Sequence, residues 1–169
     1  MTAEVEVAAS SASRPDRLAP LARGAAAIAG AALVGVAAVE AWQVVARYAL
    51  NDSPGWTEPI ALLLLDVAMC LGAAAAAHGR THFGFFIAQQ AAPPRIARAL
   101  RAFADALTAA IGLVLAVYGV LLTRDAWSVP IAGAGLPQGM MFAPLAVGGA
   151  LIALFAGARL ADPRGVPPP

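Results

Sequence analysis

Residues 60–77, with the sequence IALLLLDVAMCLGAAAAA, form an apolar stretch of 18 residues that holds a single charged side chain, Asp66. An α-helix rises about 1.5 Å per residue, so about 20 apolar residues cross the roughly 30 Å hydrocarbon core of a bilayer. This stretch is therefore predicted to be a transmembrane helix. The same prediction holds for three further stretches with at most one charged residue each: residues 24–45, 103–123 and 140–158.

The composition supports an all-α integral membrane protein with four transmembrane helices. Of the 169 residues, 60% are hydrophobic, against about 45–50% in soluble domains. Residues 1–20 are polar and contain two prolines, so a disordered N-terminal segment is expected. Residues 21–160 are expected to form the membrane domain, and residues 161–169 a proline-rich tail. The net charge of +1 gives no sign of nucleic-acid binding, which requires clustered basic residues.

The arginines predict the orientation of the chain. If the N-terminus is cytoplasmic, nine of the eleven arginines fall in cytoplasmic segments, whereas Arg47 and Arg124 fall outside. This bias follows the positive-inside rule, so both termini are expected to be cytoplasmic. Trp56 and Trp127 then lie at the outer interface, where indole rings are favoured. In the long cytoplasmic loop, an amphipathic segment around residues 83–90 is expected to contact membrane lipids.

Two carboxylates inside the predicted spans are candidates for a functional role, because charges within a bilayer are costly. Glu40 and Asp66 fall at similar depths in the outer half of the first helical hairpin. If they lie close together, they share a proton or a cation. Alternatively, each is bonded to polar groups of a neighbouring helix or subunit, and the sequence leaves both interpretations open.

Other reactive side chains do not form a catalytic pattern. Cys70 is the single cysteine, which excludes the paired-thiol chemistry of membrane oxidoreductases. His78 and His82 are four residues apart, but no carboxylate or cysteine stands near them to complete a metal site. We therefore predict a protein that is not an enzyme and has neither a cofactor nor a metal.

Residues 46–58, with the sequence ARYALNDSPGWTE, join the first span to the second and carry the most specific pattern. R-Y-x-x-N, a short turn and W-T-E resemble the small permease subunit (DctQ-like) of TRAP transporters, the tripartite ATP-independent periplasmic transporters. Pro59 departs from the family pattern, which often has a second acidic residue there, and Asp66 stands where an apolar or aromatic residue is expected. The positions that carry the resemblance are Arg47, Tyr48, Asn51, Trp56, Glu58, Gly72 and His82.

The resemblance implies a role in the bacterial inner membrane. In such a complex a large multi-span permease carries an organic acid together with sodium, and a periplasmic substrate-binding protein delivers the acid. The small subunit packs on the scaffold of the large permease and helps to dock the binding protein. The motif residues then either brace the first hairpin, through pairing of Arg47 with Glu58, or contact the partners.

Three other functions fit the sequence less well. The first is a small proton-coupled antiporter that works alone through Glu40, although this residue lies near the outer end of its span. The second is the small subunit of another tripartite carboxylate transporter. The third is a membrane enzyme or redox subunit, which the lone cysteine and the two histidines at the membrane edge disfavour.

Overall fold

The computed structural model describes residues 18–52, 54–79 and 94–161. These residues form four α-helices and one short 3₁₀ helix, and each α-helix contributes to a span long and apolar enough to cross a membrane, which confirms the all-α prediction. The expected disordered segment up to residue 17, His82, the amphipathic segment at 83–90 and the tail from residue 162 lie outside the described residues. The helices are α1 (Ala19–Ala49), α2 (Thr57–His78), α3 (Pro94–Asp125), the 3₁₀ helix (Gln138–Phe142) and α4 (Ala143–Ala161).

Two of the helices are longer than the apolar stretches that predicted them. Helix α1 has 31 residues and α3 has 32, so both extend past the roughly 20 residues that a bilayer core requires. The additional residues of α3 begin at Pro94, a residue that suits the first turn of a helix because it needs no backbone N–H there. Both helices therefore project beyond the hydrocarbon region at one end.

The four helices form a row in the order α1–α2–α4–α3. Contacts join α1 to α2, α2 to α4, and α4 to α3, and among the described residues α1 and α3 do not touch. Over their apolar spans, 17% of the residues of α1 and 11% of those of α3 are buried, against 28% for α2 and 33% for α4. Helices α1 and α3 are therefore the two outer helices of this layer, and near the terminal end Ala22 of α1 shares a buried cluster with Ala74 of α2 and Phe155 of α4.

Small residues bring neighbouring helices together. A Cβ added to Gly149 of α4 would lie 2.5 Å from the Ala116 nitrogen of α3, and one added to Gly112 would lie 2.6 Å from the Ala153 nitrogen. These helices therefore pack backbone against backbone, as small residues allow in membranes. Between α1 and α2 one cluster of buried residues comprises Ala25, Ala29 and Leu71.

The helix ends fall into two groups. The loop end of the layer carries residues 50–52 and 54–56, between α1 and α2, and residues 126–137, between α3 and the 3₁₀ helix. The terminal end carries the first residues of α1 and α3 and the last residues of α2 and α4. Helices α1 and α3 run toward the loop end, whereas α2 and α4 run away from it.

The packing register identifies which residues lie at the same height. Gly35 of α1 lies beside Leu64 of the antiparallel α2, since a Cβ on Gly35 would be 3.1 Å from the Leu64 side chain. A Cβ on Gly72 of α2 would be 3.8 Å from the Ala29 side chain of α1, and the average of these two contacts places Glu40 about level with Ile60.

The same height can be followed across the other helices. Cys70 of α2 lies beside Gly148 of the parallel α4, so Ile60 is about level with Gln138. The Gly139 N–H donates to the Ala126 carbonyl at 3.0 Å, which brings the end of α3 to this height as well. We call this height the border level; it is marked by Glu40, Ile60, Ala126 and Gln138.

Candidate functional site

Asn51 ends α1 at the loop end. Its φ is +55°, in the left-handed region, and the Asp52 N–H that follows donates to the Ala46 carbonyl at 3.1 Å. Asparagine is the residue other than glycine that adopts this conformation most readily, and it commonly terminates helices. The Asn of R-Y-x-x-N therefore has a structural role in turning the chain out of α1.

Thr57 begins α2 and is fully buried, although the sequence did not single it out. Its hydroxyl donates to the Pro54 carbonyl at 2.9 Å, so the Pro54–Gly55 turn is tied to the first residue of the helix. A hydroxyl residue directly after a Pro-Gly turn and before an apolar run is a recognisable helix-start signal. Thr57 thus connects the start of α2 to the preceding loop through a buried hydrogen bond.

The expected pairing of Arg47 with Glu58 is absent. Both side chains are exposed, and among the described residues neither takes part in an ion pair. The register explains the difference, because Glu58 is about level with Trp42, and Arg47 lies five residues, about 7.5 Å, farther along α1. Arg47 and Glu58 are therefore free to contact other molecules.

The other residues of the resemblance differ in their surroundings. Tyr48 is 82% exposed and Trp56 is 43% exposed, so Tyr48 presents most of its surface at the loop end and Trp56 somewhat less than half. Gly72 faces α1, where an added Cβ would meet the Ala29 side chain at an ordinary 3.8 Å. Gly72 thus packs against α1, but the space there would also accept a methyl group.

The loop between α3 and the 3₁₀ helix packs on the loop between α1 and α2. The former is internally bonded, with the Ile131 N–H donating to the Leu136 carbonyl at 2.8 Å. At its tip Gly133 has a φ of +83°, and a Cβ there would lie 2.6 Å from the Gly55 carbonyl oxygen. The two loops therefore form one continuous surface at the loop end.

The two carboxylates of the predicted spans lie at different heights. Glu40 is exposed at the border level, and Asp66 is half-buried and accepts a long hydrogen bond from the Cys70 thiol, 3.7 Å away. The register pairs Asp66 with residue 34 of α1, about 9 Å from the height of Glu40. This separation differs from the similar depths expected from the sequence, and among the described residues the two carboxylates make no contact.

The three tryptophans lie together just beyond the border level. By the register, Trp42, Trp56 and Trp127 all lie within about 6 Å of it on the loop-end side. All three are exposed. Tryptophans at one height form the aromatic belt typical of a membrane–water interface. The border level therefore marks one edge of the hydrocarbon core.

Arg159 joins three helices at the terminal end. Its Nε donates to Asp105 Oδ1 of α3 at 2.8 Å, and its Nη1 donates to the Ala77 carbonyl of α2 at 2.6 Å. The two charged side chains are 18% and 16% exposed. Ala77 is in the last turn of α2, where carbonyls have no partner within the helix. We call this arrangement the Arg159 clamp; it lies about 30 Å from the border level, the thickness of a hydrocarbon core.

The sequence did not predict the Arg159 clamp. The arginine count assigns Arg159 to the cytoplasmic side and predicts no partner for it. The available signal was the position of Arg159 in the last turn of an apolar helix, where its side chain can reach free carbonyls. Its pairing with a residue 54 positions earlier depends on the helix order, which local sequence does not encode.

The fold and these sites define a small multi-span membrane protein whose described polar contacts tie helices and loops together. Within the described residues there is no group of three or more histidine, cysteine or acidic side chains that could hold a metal ion. Residues 36–164 match the family model of "Tripartite ATP-independent periplasmic transporters, DctQ component". The chain belongs to this family, that of the small permease subunits of TRAP transporters. No curated protein matches the chain.

Proposed function

We propose that this chain supports the large permease of a TRAP transporter and helps to dock the periplasmic substrate-binding protein during sodium-driven uptake of an organic acid. The family match over residues 36–164 carries this proposal. The form of the described helices is consistent with a supporting role. Three spans are unbroken α-helices and the fourth joins the 3₁₀ helix directly to α4 at its loop end, whereas substrate sites in transporters are built where broken helices meet near the middle of the membrane.

The proposed orientation places the loop end in the periplasm and both termini in the cytoplasm. Arg47 and Arg124 lie near the loop end, whereas Arg23, Arg98 and Arg159 lie near the terminal end. The positive-inside rule favours the arginine-rich end on the cytoplasmic side of the bacterial inner membrane. In this orientation the joined loops around Gly55 and Gly133 face the substrate-binding protein.

The test is to tag the chain in its native membrane, extract it in a mild detergent and identify the proteins that co-purify in stoichiometric amounts. We expect one large multi-span membrane protein, and we expect the periplasmic binding protein to bind the purified pair. Vesicles that contain the pair and the binding protein should accumulate an organic acid when a sodium gradient is applied. Vesicles prepared without this chain serve as the control.

A different result would contradict the proposal. A stable homodimer without a large partner, together with transport that Glu40→Gln abolishes, would indicate the self-sufficient antiporter instead. Uptake that persists at full rate without the chain would contradict its supporting role, even if the large protein co-purifies.

A further inference from the structure

Helix α3 continues past the Arg159 clamp at the terminal end. The clamp lies at one edge of the hydrocarbon core, and Asp105 is the residue of α3 that takes part in it. Helix α3 begins at Pro94, so about 16 Å of helix extends beyond this edge. A core of roughly 30 Å becomes about 40–45 Å with its polar regions, which leaves about 5–8 Å for the headgroup layer on each side. The first turns of α3 therefore cross the headgroup layer.

Two arginines of α3 lie on the side of the helix that carries the clamp. Arg101 precedes Asp105 by four residues and Arg98 precedes it by seven, so all three share one helix face. We call Arg98 and Arg101 the arginine pair. At about 1.5 Å per residue, Arg101 is about 6 Å and Arg98 about 10 Å beyond the clamp. Arg101 thus lies within the headgroup layer, and the long side chain of Arg98 can reach back into it.

The arginine pair has no balancing charge among the described residues. Arg98 is exposed and Arg101 is half-buried, and neither forms an ion pair in the described part of the chain. Asp105 is the one described carboxylate at the terminal end, and it is bonded to Arg159. The two positive charges of the pair are therefore available to an anionic ligand.

Depth and charge together indicate which ligand suits the pair. A guanidinium binds a phosphate through two parallel hydrogen bonds, and clusters of basic side chains at the ends of membrane helices attract anionic lipid headgroups. Phe103, about 3 Å beyond the clamp, is 65% exposed, and no charged residue occurs between Asp105 and Arg124. A phospholipid can contact this apolar surface with its acyl chains as well as the arginines with its phosphate. A soluble acidic peptide would satisfy the charges alone.

We propose that the arginine pair of α3 is a binding site for an anionic phospholipid. The lipid phosphate accepts hydrogen bonds from Arg101 and Arg98, and the acyl chains lie along the exposed apolar surface of α3. The bound lipid holds the start of α3 at the headgroup layer. This site goes beyond the proposed function, because it requires neither a transported acid nor the large permease.

The test measures lipid binding to the full chain, purified without lipid in a neutral detergent. Phosphatidylglycerol is titrated into the wild type, Arg101→Gln and Arg23→Gln, and native mass spectrometry measures the bound lipid. Arg23 is the matched control, because it is exposed near the terminal end of α1 and its substitution removes the same charge. We expect Arg101→Gln to weaken binding about fivefold, equivalent to about 1 kcal/mol. Arg23→Gln should bind the lipid like the wild type.

Further variants and ligands test the chemistry of the site. Arg101→Lys keeps the charge and should retain more affinity than Arg101→Gln, whereas Arg98→Gln combined with Arg101→Gln should bind most weakly. Phosphatidylcholine with the same acyl chains should bind the wild type more weakly than phosphatidylglycerol. Glycerol 3-phosphate, which lacks acyl chains, should not displace the lipid. Neither arginine forms an ion pair among the described residues, so each variant should unfold like the wild type in lipid-free detergent.

Four results would overturn the site. Equal weakening by Arg101→Gln and Arg23→Gln would indicate diffuse surface charge, and equal affinity for the two lipids would exclude recognition of an anionic headgroup. Displacement by glycerol 3-phosphate would indicate a soluble phosphate ligand. Loss of the co-purifying large permease from tagged Arg101→Gln, with unchanged lipid affinity, would show that a protein contacts the pair. Absence of a large partner from the wild-type preparation would contradict the proposed function and leave the lipid site intact.

Discussion

At the scale of the residue, one backbone angle accounts for the spacing of the R-Y-x-x-N pattern in the first hairpin. Asn51 at a φ of +55° turns the chain out of α1 three residues after Tyr48 and four after Arg47. The asparagine in the pattern R-Y-x-x-N thus fixes where the helix stops, and the helix end in turn places Arg47 and Tyr48 on the exposed last turn. Roles of Asn51 in the backbone and in partner contact can be separated by substitution.

Asn51→Gly should retain the stability of the wild-type chain, because glycine adopts a positive φ without strain. Asn51→Val should lower the free energy of unfolding by about 1–2 kcal/mol, since a β-branched residue is disfavoured there. Thermal unfolding of the purified chain in detergent measures both effects. If Asn51→Gly is stable but loses the large permease, the asparagine side chain makes a partner contact as well.

The Arg159 clamp is a residue-scale feature whose parts were visible in the sequence, although their pairing was not. Arg159 and Asp105 each stand at the end of an apolar stretch, a position that suits solvation as well as it suits an ion pair. The sequence does not predict that α3 and α4 are neighbours, nor that the last turn of α2 lies within reach of the Arg159 side chain. The contact between α3 and α4 and the register of α2 supply both facts.

A double-mutant cycle of Arg159→Gln and Asp105→Asn should show coupling of about 0.5–3 kcal/mol. Arg159→Gln should be the more destabilising single change, because it also removes the donor to the Ala77 carbonyl. Arg98→Gln, which removes an exposed arginine from α3, is the control and should have little effect. Additive losses in thermal unfolding would show that the two side chains do not act together.

At the scale of the element, glycines with similar sequence surroundings have different roles. In α4, Gly149 lies against the backbone of α3, and Gly148 would place a Cβ 2.8 Å from Cys70. Gly157 of the same helix has open space where a Cβ would stand. An alanine-rich chain provides small residues on every helix face, so the sequence could not distinguish these glycines. The distance between backbones does distinguish them.

Gly149→Ala should therefore destabilise the packing of α3 against α4 by about 1–3 kcal/mol, because the new methyl group meets backbone atoms that cannot move independently. Gly157→Ala is the matched control on the same helix and should be neutral or slightly stabilising, since alanine favours helix. Chemical denaturation in detergent micelles compares the two. Equal stabilities would contradict the close approach at Gly149.

At the scale of the whole molecule, the number of spans could be predicted from the sequence, but the order of the helices could not. Length and hydropathy suffice for the spans, because the thickness of the bilayer fixes how many apolar residues each one needs. In lipid, however, apolar residues cover the outward faces of the helices as well as the packed ones. The pattern that identifies the buried side of a soluble helix is therefore weak here, and the row α1–α2–α4–α3 becomes visible only in three dimensions.

The order of the helices also has a consequence for the insertion of the chain into the membrane during synthesis. Helices α1 and α2 emerge first and already pack on each other, and α3 and α4 do the same later. Among the described residues, the pairs are connected by α2 with α4 and the 3₁₀ helix, by the buried cluster of Ala22, Ala74 and Phe155, and by the two touching loops. We therefore expect each pair to insert as a unit, and the contact between Cys70 and Gly148 to form last.

Co-expressed fragments test this sequence of events. Residues 1–86 and 87–169, produced as separate polypeptides, should both insert and should co-purify. Gly148→Leu in the second fragment should prevent their association, because a large side chain there meets the backbone of α2, whereas Gly157→Leu should not. If the two fragments associate, a gene divided between the two helix pairs would still produce a folded protein.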